Sequence, residues 1–213
     1  MVVERTLVFI KPEVAARPQV AARVLRRLLS DPQMRLLSFI RFIVPEALAR
    51  EHYAEHEKKP FFPTLVTQIT AAPVYVCVFE GEGVIAHVRK LAGATFVENA
   101  EPGTIRADFG LYKGLNVIHA SDGPESAERE INLWQKYGAV HLEPEEAQHA
   151  AWIVVQTWQN HPHESERIRK IIYRILEEKA NLRAFLRADA VDPSIEPGHI
   201  SRLIEAIFRY VME

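Results

Sequence analysis

The sequence predicts an α+β fold, a ferredoxin-like βαββαβ sandwich followed by an all-α C-terminal extension. Three observations carry this expectation. Up to Gly138, β-rich apolar runs alternate with helical segments in a split βαβ order. Eight of the nine glycines lie between Gly81 and Gly138, so tight turns cluster in the middle of the chain and then stop. Beyond Gly138 the apolar residues recur only at helical spacing. The 213 residues therefore divide into a segment 1–143 and a helical extension 144–213.

Arg5 to Ile10 is an apolar run ended by Lys11-Pro12 and reads as a buried strand. Residues 13 to 30 read as a helix on Val20, Val24, Leu25 and Leu28, with Pro18 as an early start point and Asp31-Pro32 as its stop. Met34 to Val44 is a second strand. Pro45 opens a helix to about His56 with Glu46 in its first turn, and Phe61 to Thr70 forms a short one. Val74 to Phe79 is the third strand and Val84 to Leu91 the next helix. A loop-rich stretch from Gly93 to Gly114 leads into a short strand, Leu115 to His119, and Glu125 to Trp134 is helical. In the extension, Ala147, Ala151, Val154, Val155 and Trp158 make one stripe. Ile168, Ile171, Ile172, Ile175, Leu176, Leu182 and Leu186 make another, and Ile200 to Val211 a third.

Composition narrows the function classes. Lys plus Arg number 26 against 28 Asp plus Glu, so the charge gives no reason to expect nucleic acid or an anionic membrane as partner. No apolar run reaches the ~18 residues of a membrane span, and the charged Met1 to Arg5 does not suit a secretory signal. Cys77 is the only cysteine, which points to a cytoplasmic protein without internal disulfides.

Chemistry concentrates in Asn116-Val117-Ile118-His119-Ala120-Ser121-Asp122-Gly123, followed by Glu125, Glu128 and Glu130. A strand end followed by a Ser-Asp-Gly turn exposes the imidazole, and a nearby carboxylate can fix its tautomer. Lys11, Arg89 and Arg106 stand near turns, and cations converging on a histidine suit a polyphosphate. A Gly-x-x-x-x-Gly-Lys loop and a zinc-type His/Cys set are both lacking.

Taken together, these segments resemble nucleoside diphosphate kinase over the first 140 to 150 residues. The matching stretches are Glu4 to Pro12, Glu51-His52-Tyr53, Lys59-Pro60-Phe61-Phe62, Val88 to Thr95, Pro102 to Phe109, Asn116 to Asp122, and Glu125 to Ile131. The resemblance implies ping-pong γ-phosphoryl transfer from nucleoside triphosphates such as ATP to diphosphates through a phosphohistidine. It makes His119 the nucleophile, with Glu130 and Ser121 orienting it. Lys11, Tyr53, Arg89, Thr95 and Arg106 would hold phosphates, Asn116 with Lys11 the ribose, and Phe61 the base. Mg²⁺ would sit on the nucleotide's own phosphates, and the assembly would be a dimer-based homo-oligomer.

Glu13-Val14 replaces the family's usual Asp-Gly, which is expected to alter the turn beside Lys11. Phe96-Val97 replaces its Asn-Pro in a loop used for trimeric contacts, and Lys113 stands near the base where an apolar residue is common. The alternative function is a weakly catalytic homologue acting as a scaffold through its helical tail.

Overall fold

The computed structural model describes residues 2–189, with side chains described through Asn181. The stripe from Ile200 to Val211, and the side chains of Leu182 and Leu186, lie outside the described residues. Strand β1 (Val3–Ile10) runs into helix α1 (Pro12–Ala15) and then α2 (Pro18–Leu29). The single helix expected over 13 to 30 is thus two, because Pro18 cannot continue a helix and instead occupies the first turn of the next one. Strand β2 (Arg35–Phe42) is followed by α3 (Glu46–His52) and α4 (Phe62–Thr70), with a 3₁₀ turn, Ala54–His56, between the two helices.

Next come β3 (Val74–Glu82) and α5 (Val84–Ala92). The stretch read as loop after Gly93 contains a 3₁₀ turn, Val97–Asn99, and a one-turn helix, α6 (Ile105–Phe109), whose Thr104 caps it by accepting from the Ala107 N–H. Strand β4 (Ile118–Ala120) starts three residues later than expected, because the chain at Val117 turns with positive φ. Helix α7 (Pro124–Lys136), α8 (Pro144–Trp158) and α9 (Ser165–Asp189) complete the described residues.

The four strands form one antiparallel sheet in the order β2-β3-β1-β4, the ferredoxin-like arrangement. Side chains alternate across it. Val8, Ile10, Cys77 and Phe79 face a core shared with α2, α5, α6 and α8. Leu7, Phe9, Val76 and Val78 face a second core with α3, α4 and α7, where Trp134 is fully buried. Val14, at the position where the family usually has glycine, is helical and fully buried in the first core, so the turn beside Lys11 needs no glycine here. Val97 is also buried, and it fills the space a Cβ on Gly110 would need, 2.5 Å away, while Phe96 stays exposed.

The first compact unit runs to Ser165, past the division at 143 drawn from sequence. The reason is α8, whose Ala147, Ala151 and Val155 are buried in the first core. Alanines let its backbone approach α2 and β2 closely. Helix α9 belongs to the second unit, and there Ile171, Tyr173 and Ile175 are exposed.

A chain ending at Glu143 should melt lower than one ending at Ser165, since it lacks α8. Uncovering the core under α8 costs about 3 kcal/mol or more by apolar area, or roughly 6–12 °C for a domain of this size. Thermal melts of the two lengths check this; equal midpoints would mean α8 adds nothing to the unit.

Candidate active site

Pairing of β4 with β1 sets His119 opposite Phe9, and the two rings stack at 4.6 Å with an interplanar angle of 11°. One face of the imidazole is thereby covered. Its edge is fixed from α7, where Glu130 Oε2 lies 2.8 Å from His119 Nε2. The same carboxylate oxygen accepts from the Ser121 hydroxyl at 2.7 Å, and Ser121 Oγ in turn accepts the Leu7 N–H at 3.2 Å. Burial would push the Glu130 carboxyl up, but the hydrogen bond and charge of His119, with His52 and Ser121 adding to them, hold it below its ordinary value. An ionised carboxylate only accepts, so Nε2 carries the proton and Nδ1 keeps its lone pair.

His52, on α3, completes this cluster, with its ring edge-on to His119 at 4.7 Å and to Tyr53 at 4.6 Å. Burial above all, and then the charge of His119, push His52 down to about 3, so it is neutral. Trp134 Nε1 donates to His52 Nδ1 at 3.2 Å, which places the His52 proton on Nε2. His52, His119 and Glu130 offer three atoms within 4.8 Å of one another, a spacing that could accept a metal ion. The indole N–H argues against that use, because it occupies the one lone pair His52 has.

A second cluster lies where β1 ends. Lys11 is buried and donates from Nζ to Asn116 Oδ1 at 2.7 Å and to the Gly114 carbonyl at 3.2 Å. Asn116 Nδ2 donates to the Thr95 carbonyl at 2.6 Å, so the loop after α5 is tied to the same point. Burial drives the Lys11 ammonium down to about 8, opposed by the Glu13 charge and assisted by Arg106. Arg106, on α6, donates to the Gly93 carbonyl at 2.9 Å and to the Ile118 carbonyl at 3.0 Å, next to His119. Its Nε is buried and makes no hydrogen bond. Burial, and then the nearby Arg89, push Arg106 down to about 10. Arg89 itself is exposed on α5, and its charge also acts on Asp122.

The sequence-derived residues thus fall into two bonded groups, His119-Glu130-Ser121 and Lys11-Asn116-Thr95, with Arg106 bonded to the backbone at Ile118, next to His119, and at Gly93. Tyr53 is buried in the second core, and burial pushes its hydroxyl up. Phe61 is 50% exposed at the start of α4 and ends an aromatic row that runs from His119 through His52, Tyr53 and His56. Sequence reasoning missed His52, Phe9 and Trp134. The Glu51-His52-Tyr53 match held the first, but nothing local marked the other two as neighbours of the imidazole.

The sequence profile of the nucleoside diphosphate kinase family matches residues 4–139. A nucleoside diphosphate kinase of Thermosynechococcus vestitus is 48% identical over 150 residues, which are 70% of this chain and 97% of that protein. One from Methanothermobacter thermautotrophicus is 48% identical over 131 residues, 62% of this chain and 86% of that protein. Among solved structures, the Halobacterium salinarum nucleoside diphosphate kinase in complex with CDP aligns with a TM-score of 0.61 at 39% identity, covering 70% of this chain and 97% of that one. The Aquifex aeolicus enzyme aligns at 0.58 and 37% identity, over 62% and 94%.

The Lys11 ammonium loses its charge as pH rises through about 8. Affinity for a phosphate-bearing ligand should therefore be flat below that pH and fall above it. Titration of KM between about pH 6 and 10 checks the sign; a KM that improved above pH 8 would exclude Lys11 as the anion's partner.

Proposed function

From the premise that the chain belongs to the nucleoside diphosphate kinase family, a family of nucleotide phosphotransferases, we propose that its own His119 carries the phosphoryl group. The observation that carries this reading is the Glu130 contact at Nε2. With that nitrogen protonated, Nδ1 is the nucleophilic atom. It attacks the γ-phosphorus in line, the Nδ1–P bond forms, and the bond to the bridging oxygen breaks, releasing the nucleoside diphosphate. The reverse displacement by a second diphosphate restores the free imidazole. No proton has to leave Nδ1, and the buried carboxylate stabilises the positive charge that the ring gains.

Phosphoryl transfer needs positioning and charge neutralisation more than covalent assistance. Arg106, whose guanidinium is held against the Ile118 carbonyl next to His119, and Arg89 act on the transferring group. Lys11, held by Asn116, acts on phosphate and ribose oxygens, and Thr95 supports the loop. Mg²⁺ belongs to the substrate in this reading: the cleft presents three cations rather than paired carboxylates, so the ion arrives on the nucleotide's phosphates. Phe61 offers its exposed ring to a base, which reads all bases alike. Tyr53 contributes mainly by backing His52. The rest of the reading is a dimer-based homo-oligomer acting in the cytoplasm; no helix among the described residues is long and apolar enough to cross a membrane.

Incubation with γ-labelled ATP tests the reading directly. The protein should take up an acid-labile label and pass it to any nucleoside diphosphate, and His119→Ala should abolish both steps. A His119→Ala protein that still turned over at the native rate would sink the assignment. Arg106→Ala should lower kcat by about 10²–10³, by analogy with loss of a charged transition-state donor, with a smaller change in KM. A change in KM alone would show that Arg106 binds ground state and transition state equally.

A further inference from the structure

Val117 is β-branched and fully buried, yet its φ is +78°. The Ile118 N–H donates to the Asn116 carbonyl at 2.9 Å across it, closing a three-residue γ-turn of the rare, strained sign. Such a conformation persists only where its surroundings over-determine it. Its place in the chain gives it leverage: Asn116, which holds Lys11, precedes it, and His119 follows two residues later. The shape of this turn therefore sets the separation of cation and nucleophile.

Two bonds from outside hold the turn. The Lys11 N–H donates to the Val117 carbonyl at 2.9 Å, and the Val117 N–H donates to Glu13 Oε1 at 3.4 Å. The other carboxylate oxygen, Glu13 Oε2, accepts from Gln68 Nε2 at 3.2 Å, and the same amide donates to the Gly114 carbonyl at 3.3 Å. That carbonyl also accepts from Lys11 Nζ. The bonds form a closed circuit through α1, α4 and the 114–117 segment, with Glu13 as the member that holds the Val117 N–H.

On the reading that His119 is phosphorylated, we propose that Glu13 is a positioning residue: its carboxylate clamps the strained Val117 turn and serves as the counter-charge of Lys11. It acts through these two neighbours and not on the reacting atoms. The charged or titratable groups that act on or face Lys11 are Glu13 from α1, Arg106 from α6 and the neutral His52 from α3. Glu13 is the carboxylate of that set, and its charge opposes the burial and the guanidinium that favour the neutral amine.

The two roles separate by substitution. Glu13→Gln keeps an oxygen for the Val117 N–H but removes the charge and the acceptor for Gln68; Glu13→Ala removes all three. Full-length wild type and both variants are compared by acid-labile labelling from γ-labelled ATP, kcat and KM from about pH 6 to 10, and thermal melting. Glu13→Ala should lower kcat about tenfold to a hundredfold, the cost of a small misplacement, with label still on His119. Glu13→Gln should lose less in kcat, while the alkaline fall of its kcat/KM begins about one pH unit below that of wild type. The inference is overturned if both variants keep the wild-type kcat and alkaline limb. It is equally overturned if Glu13→Ala loses activity only in proportion to folded protein while Glu13→Gln matches wild type at every pH. A wild type that takes no label overturns the phosphohistidine reading instead, which keeps the two failures distinct.

Discussion

The buried carboxylate of Glu130 is the constraint on which the site depends. It is 4% exposed in a core of tryptophan, valine and leucine, where an unpaired anion would be costly. Two donors stabilise it, the His119 Nε2–H and the Ser121 hydroxyl, and both sit at the end of β4. The sheet register therefore has an electrostatic consequence. If β4 slipped by one residue against β1, His119 would move to the other face of the sheet, and Glu130 would lose its partner.

The same burial explains why the imidazole has one usable nitrogen. Phe9 stacks on its face, His52 stands at its edge, and Trp134 fixes the tautomer of His52 from beneath. A neutral His52 adds no repulsion when the His119 ring becomes positive. Fully buried Trp134 thus has two physical roles, filling the second core and setting a proton on the ring packed against His119.

Backbone strain also falls in the short segment between the two bonded groups. Val117 takes up a conformation that L-residues avoid, at about 1–3 kcal/mol, and regular strand and helix follow directly on either side of the Lys11-to-Val117 bond. The stability needed to tolerate this comes from the two apolar layers, including α8, which extends the first core beyond the residues that the family profile matches.

Sequence by itself determined the element order, because the continuous apolar runs at β1 and β3 and the helical spacing of apolar residues in α2 are local properties of neighbouring residues. It also determined which types of side chain could do chemistry, since Lys11, Arg106, Asn116, His119 and Glu130 stand beside turns in recognisable motifs. The break at Pro18 was written there too, though the helical stripe around it obscured it. Other features only the tertiary structure decided. Phe9 and His52 meet His119, and Trp134 backs both of them, from three elements far apart in the chain, and no local pattern encodes that convergence. The bond of Lys11 to Asn116 and that of Val117 to Glu13 join groups about 100 residues apart, and the bond between His119 and Glu130 joins β4 to α7. Helix α8 looked like part of a separate extension because its stripe is amphipathic in isolation; only its alanine face, matched to the surface of α2 and β2, assigns it to the first unit.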